Sequence, residues 1–237
     1  MAKMLWDYIL IVLSWITDWE STQWKKIDSE AMDLELKKFA KEIRMLDKEM
    51  RTWDIYLQLE SVIKNMITAL RAVTELQNPA LRDRHWRQLM EAAKMKFVVD
   101  DNTTLADLLA LQLYKIEDEV KTIVDKSVKE MSMEKTLTEM ALTWASQEFE
   151  YEVHQRTGCK VLKVSEELVE ILEDNQVQLQ NMMSSKFIAF FLSEVSEWQR
   201  KLSNADQVIH TWMEVQRTWM HLESIFIGSE DIRKQLP

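Results

Sequence analysis

Four histidines, a single cysteine and a surplus of carboxylates are the side chains best suited to chemistry in this chain. His154 and Cys159 flank a short turn, so the imidazole could reach and activate the thiol as a nucleophile. A solvent-facing pair at a turn is the plainer reading of the same two residues. A di-iron carboxylate bundle needs Glu-x-x-His twice. The residues three places before His85, His154, His210 and His221 are Arg82, Tyr151, Gln207 and Thr218. His-Glu-x-x-His is absent, and Cys159 has no second cysteine with which to hold zinc. A phosphate-cradling loop needs two glycines five positions apart, then Lys and Ser or Thr; the only glycines are Gly158 and Gly228. Arg84-His85-Trp86 is the most specific polar–aromatic cluster, but nothing near it in sequence supports catalysis by His85. It reads as Trp86 buried between helices, with Arg84 and His85 satisfying carboxylates or helix ends. No catalytic, cofactor-binding or metal-binding residue is therefore expected.

The elements around these residues follow from composition. Two glycines and two prolines leave little turn punctuation, which favours long helices. With 46% hydrophobic and 30% charged residues, the chain suits amphipathic helices around a shared core and is too apolar for disorder. The net charge of −10 argues against binding nucleic acid, which requires clustered Lys and Arg, and against docking on another acidic surface. Lone Cys159 fits a reducing, intracellular compartment. Leu5–Ile16 imitates a signal peptide, but Asp7 interrupts it, no cleavage site follows, and it is too short to span a bilayer. A packed helix with Leu5, Ile9, Val12, Leu13, Ile16 and Trp19 on one face is expected, with no membrane contact.

Asp28 and Ser29 read as caps of a second helix. Leu36, Phe39, Ile43, Leu46, Met50, Trp53 and Leu57 form a seam in steps of three and four. A second seam, Tyr56, Leu59, Ile63, Met66, Leu70 and Val73, runs in another phase. The slip marks either a stammer in one long helix or two helices meeting at Arg51-Thr52; two are preferred, because a helix of about 48 residues is rare. Asn78-Pro79 ends the run, and a short helix follows from about Leu81 to Lys94. Asp100-Asp101-Asn102 reads as a polar break. Thr104 caps the next helix with Asp107 in capping-box style. A long helix is predicted over about 115–145, striped by Ile116, Val120, Ile123, Ser127, Met131, Glu134 and Leu137.

Phe149-Glu150-Tyr151-Glu152-Val153 alternates apolar and charged residues, Gly158 sits in a turn and Val161-Leu162 follows, which together read as a β-hairpin. Ser165 starts another helix. Phe187, Phe191, Glu194, Trp198 and Leu202 define one later face, and Val208, Trp212, Val215, Trp219, Leu222 and Phe226 a second. Gly228 is a stop and Ser229 a cap. The fold class is thus mainly α, an elongated multi-helix bundle with one small β-hairpin near 149–163. Helical parts span about 1–145 and 165–237. Trp53, Trp198, Trp212 and Trp219 are assigned to the core. Trp19, Trp24 or Trp144 are the candidates to face a partner. Met182 and Met183 are possible surface exceptions among methionines that otherwise pack, and Glu117-Asp118-Glu119 is a solvated face.

Two strings carry a family resemblance: LQNPALRDRHW at residues 76–86, and VQRTWMHLESIF at 215–226 followed by SEDIRKQLP at 229–237. They resemble the N-terminal half of the linker of dynein heavy chains, with Asn78, Pro79, Arg84, His85, Trp86, Gln216, Trp219, Leu222, Glu223 and Phe226 as structural signature residues. Residues 123–134 and 172–186 are similar to the same family. The latter, with Leu105–Leu111, is most similar to axonemal outer-arm β-type chains. The resemblance implies a mechanical segment that docks on an AAA+ ring of the same heavy chain and swings across it. It implies ATP and Mg bound by that ring, microtubules gripped by a separate stalk, and intermediate chains, light chains and other heavy chains joined through a tail. The setting implied is the cytoskeletal axoneme of a cilium or flagellum. On this reading the chain stops midway through the linker at Pro237, and the ring-docking face lies near the hairpin, at Tyr151 and Val153. On physics alone two other classes stay open: a stand-alone helical scaffold or adaptor binding partner helices along an exposed apolar seam, and a helical enzyme built on scattered carboxylates.

Overall fold

A computed structural model describes residues 2–100 and 102–235. Asp101 of the expected polar break, and Leu236 and Pro237 of the C-terminal string, lie outside the described residues. Nine α-helices, four single-turn 3-10 helices and one two-stranded hairpin make up the regular structure among the described residues, which is mainly α as the sequence predicts. The chain divides into two compact units, Met1–Lys129 and Glu130–Pro237. No helix of the described residues is long and apolar enough to cross a membrane.

The first unit contains α1 (Ala2–Glu20), α2 (Ser29–Ile43), α3 (Asp54–Leu76), α4 (Asp83–Ala93) and α5 (Leu105–Ala110). The Asp28 carboxylate accepts the Ala31 N–H at 3.0 Å, pairing one of the donors that the α2 N-terminus leaves without an intrahelical partner. The phase slip near residue 51 is a break between two helices, and Arg51 shows why the chain tolerates it. Its guanidinium donates to the carbonyls of Arg44 (2.5 Å) and Leu46 (3.2 and 3.3 Å), in the turn that follows α2. Leu46 and Met50 continue the seam into the core from this turn. Trp53 and Leu57 do not; both are exposed, because α3 begins in a new phase. In α1, Leu5 and Val12 are buried, but Leu13 is exposed rather than part of the packed face.

Asn78 ends α3 through an Asx turn, its side-chain oxygen accepting the Ala80 N–H at 2.9 Å. His85 is fully buried, and its Nδ1 accepts the Arg82 N–H at 3.0 Å, closing the first turn of α4. Trp86 stacks edge-on against Trp24 (5.5 Å between centroids) and Phe97 (6.1 Å). Trp24 is therefore core and not partner-facing. Two backbone bonds draw it in: its N–H donates to the Thr103 carbonyl, and Leu105 N–H to the Thr22 carbonyl. Gln77 Nε2 adds a third bond, to the Trp24 carbonyl. Thr104 and Asp107 form the expected capping box on α5.

The division between units falls within α6 (Glu117–Ser146). Its stripe starts as predicted at Val120, Ile123 and Ser127 but continues through Glu130, Met133, Leu137 and Met140, leaving Met131 exposed and Glu134 outside it. The second unit adds strands β1 (Glu150–Val153) and β2 (Lys160–Lys163), then α7 (Glu166–Met183), α8 (Leu192–Phe226) and α9 (Glu230–Gln235). Ser165 caps α7 by accepting the Leu168 N–H. The core here is Met133, Leu137, Met140, Leu172, Leu179, Met182, Phe191, Val195 and Leu202. The α8 seam thus runs through Val195, with Glu194 facing out. Met183 is exposed while Met182 is packed.

Candidate docking site

The hairpin is the one non-helical element with a distinctive surface, and α8 positions it. Its register pairs Glu150 with Lys163, Tyr151 with Leu162, Glu152 with Val161 and Val153 with Lys160. The turn closes through a G1 bulge. Gly158, at φ +69°, donates its N–H to the His154 carbonyl while the His154 N–H donates to Cys159. The left-handed φ is why glycine stands there.

A two-stranded hairpin is marginal alone, and three α8 residues hold this one. Gln216, Trp219 and Glu223, spaced three and four apart, share a helix face. The Gln216 carboxamide behaves like an added strand: Oε1 accepts the Leu162 N–H at 2.7 Å, and Nε2 donates to the Leu162 carbonyl at 2.9 Å. The Trp219 ring meets the His154 ring edge-on at 5.5 Å. The Glu223 side chain, 1% exposed, lies 3.0 Å from the half-exposed Arg156 guanidinium and 3.8 Å from His154 Nε2. Neither Glu223 oxygen makes an aligned hydrogen bond, so the attraction to Arg156 is one of charge. Gly228 completes the clamp. A Cβ there would lie 2.4 Å from the Ser224 carbonyl and 2.9 Å from the Arg156 guanidinium.

Beside the hairpin, α8 presents a groove of about 810 Å³ lined by Val161, Val208, Trp212, Val215 and Trp219, with Cys159 and Lys160 at its rim. Val208, Trp212 and Val215 are 60%, 56% and 62% exposed. This corrects the expectation of a buried seam: Trp212 is a surface residue and Trp219 is half-buried, whereas Trp198, on the earlier face, is half-buried and packs against the core. The stripe is as periodic as the sequence indicates, but no helix of this unit lies on it. Leu222 and Phe226 are also exposed. Tyr151 and Val153 stand in solvent on β1, with the Lys160 ammonium 4.2 Å from the Tyr151 ring centre.

The residues singled out by the resemblance fall in two separate places, and Leu222 and Phe226 among them are exposed. Asn78, Pro79, Arg84, His85 and Trp86 lie in the first unit, where Asn78, His85 and Trp86 shape the α3–α4 turn and its packing. Gln216, Trp219 and Glu223 anchor the hairpin in the second. His154, Arg156 and Leu162 were not singled out for this role by their sequence context; the hint was the three-four spacing of their partners on α8. No Cys–His pair forms, because the His154 ring is committed to Thr157 Oγ1 (3.0 Å), Trp219 and Glu223. Among the described residues no cluster of His, Cys, Asp or Glu is arranged to hold a metal ion. The arrangement offers a surface for recognition.

Comparison with known proteins supplies what geometry cannot. Residues 1–237 match the family model described as dynein heavy chain, N-terminal region 2. Across all 237 residues the chain is 64% identical to the ciliary dynein beta chain of Tripneustes gratilla and 62% to dynein axonemal heavy chain 17 of Mus musculus. It is 42% identical over 99% of its length to the flagellar outer-arm dynein beta chain of Chlamydomonas reinhardtii. In each case it spans about 5% of the relative's own length.

Proposed function

This chain belongs to the dynein heavy-chain family, as N-terminal region 2 of an axonemal type, and on that footing we propose that it is a mechanical linker segment. It docks on the AAA+ ring of its own heavy chain and swings across it, coupling ATP hydrolysis there to microtubule-based movement in a cilium or flagellum. Nucleotide and Mg belong to the ring, microtubule contact to the stalk, and intermediate and light chains to the tail.

The observation that carries the docking part is the clamped hairpin. A lever must transmit force without yielding at its contact, and Gln216, Trp219 and Glu223 tie the hairpin at successive turns of a 35-residue helix. At about 1.5 Å per residue that helix is roughly 50 Å long, a length suited to rigid-body movement. The hairpin keeps Tyr151 and Val153 outward, as a docking face requires. The alternative, a stand-alone scaffold that binds partner helices, is favoured only by the open α8 groove. Placing Tyr151→Asp and Val153→Asp together in a complete motor should slow microtubule gliding severalfold while the ring ATPase persists. Gliding at the native rate would remove the hairpin from the docking face.

A further inference from the structure

β1 pairs with β2 along one edge only, and the Gln216 clamp reveals what occupies the other. Because the clamp takes both the N–H and the C=O of Leu162, these groups point away from β1. Antiparallel pairing alternates, so Tyr151 and Leu162 exchange no hydrogen bonds with each other, and neither do Val153 and Lys160 two places on. The bonded pairs are Glu150–Lys163 and Glu152–Val161. Tyr151 and Val153 must therefore also aim their N–H and C=O groups outward, from the open edge of β1. Among the described residues no protein group meets these four.

Proteins usually blunt such an edge with a short strand, charged side chains (lysine above all), proline, a bulge or a covering element. β1 is short and carries the charges of Glu150 and Glu152, but it has no lysine, no proline and no covering element: it reads Glu-Tyr-Glu-Val, and all four residues are exposed. Its two faces differ sharply. Tyr151 and Val153 project on one side and are exposed. Glu150 and Glu152 occupy the other. Lys163 lies 3.8 Å from Glu150, but no cation among the described residues comes within ion-pair distance of Glu152.

Resting on the reading that the hairpin is a docking face, we propose that β1 takes up a third strand from its docking partner, an extended segment of alternating apolar and basic residues. Backbone bonds to Tyr151 and Val153 supply the attachment. Apolar side chains of the incoming strand lie beside Tyr151 and Val153, and its Lys or Arg side chains beside Glu150 and Glu152, where cross-strand pairs of opposite charge are favourable and like charges are not. The acidic row thereby selects both the partner and its register: a one-residue slip would set apolar groups against the carboxylates.

The test uses a complete heavy chain carrying this region, labelled so that energy transfer reports its docking on the ring. Hydrogen exchange is followed residue by residue in docked and undocked states. Val153→Pro deletes one outward N–H and no bond to β2, a change that an edge strand accommodates; the amides of Glu152 and Val161 report that the hairpin stays folded. Strand addition predicts that the Tyr151 and Val153 amides are at least tenfold slower to exchange when docked, and that Val153→Pro weakens docking about tenfold. Glu150→Lys with Glu152→Lys should weaken it at least as much. If Val153→Pro docks normally while Tyr151→Asp with Val153→Asp does not, the hairpin docks through side chains and the added strand is wrong. If no variant changes docking, the docking face itself is wrong.

Discussion

Gln216→Ala is the sharpest probe of how the hairpin is held. The substitution removes two hydrogen bonds, of 2.7 and 2.9 Å, between the carboxamide and the backbone of Leu162, along with an exposed one from Trp212 Nε1 that does not touch the hairpin. A protein hydrogen bond contributes about 0.5–1.5 kcal/mol net, so the pair is worth about 1–3 kcal/mol to the closed hairpin. At about 1.4 kcal/mol per factor of ten, opening becomes roughly 5- to 150-fold more frequent. Residue-resolved hydrogen exchange reads this directly: the Leu162 amide loses its acceptor, and the amides of Glu152 and Val161 report opening of the ladder itself. Gln216→Glu gives a graded control, since a carboxylate can accept the Leu162 N–H but cannot donate to the Leu162 carbonyl. The core of this unit lies elsewhere, around Leu172, Leu179, Val195 and Leu202, so the thermal midpoint should move little. Native exchange rates at Glu152 and Val161 in Gln216→Ala would refute the reasoning, and the hairpin would then owe its stability to its own ladder and to Val161 packing.

The two glycines separate two physical causes of intolerance. Gly228→Ala forces a Cβ to 2.4 Å from the Ser224 carbonyl and should destabilise by about 1–3 kcal/mol through overpacking. Gly158→Ala meets open space and only strains a left-handed φ, costing about 1–2 kcal/mol; chemical denaturation with both variants orders them. Two tryptophans separate core from surface. Trp24→Ala should cost about 3–5 kcal/mol, and Trp212→Ala less than about 1 kcal/mol, by the same assay.

Much of the local structure was legible in the residues themselves because it is decided within a few positions. Asp28, Thr104 and Ser165 each announce a helix start, since the cap hydrogen bond closes within three residues. Gly158 and the apolar–acidic alternation of 149–153 announce the hairpin for the same reason. The signature strings were readable only as a family resemblance; nothing in 216–223 says that its side chains clamp a backbone some fifty residues away.

Tertiary structure alone decided which apolar stripes are buried. Val208, Trp212 and Val215 have the periodicity of a core seam, yet lie open, whereas Trp24, outside any strong stripe, is sealed by Thr103, Trp86 and Gln77. Periodicity measures how a helix divides its faces, a local property of sequence. Burial depends on whether another element arrives to cover the apolar face, and that is a long-range event. Clamp, groove and open β1 edge belong to this second kind: each exists because residues far apart in the chain were brought together, or because none was brought to cover them.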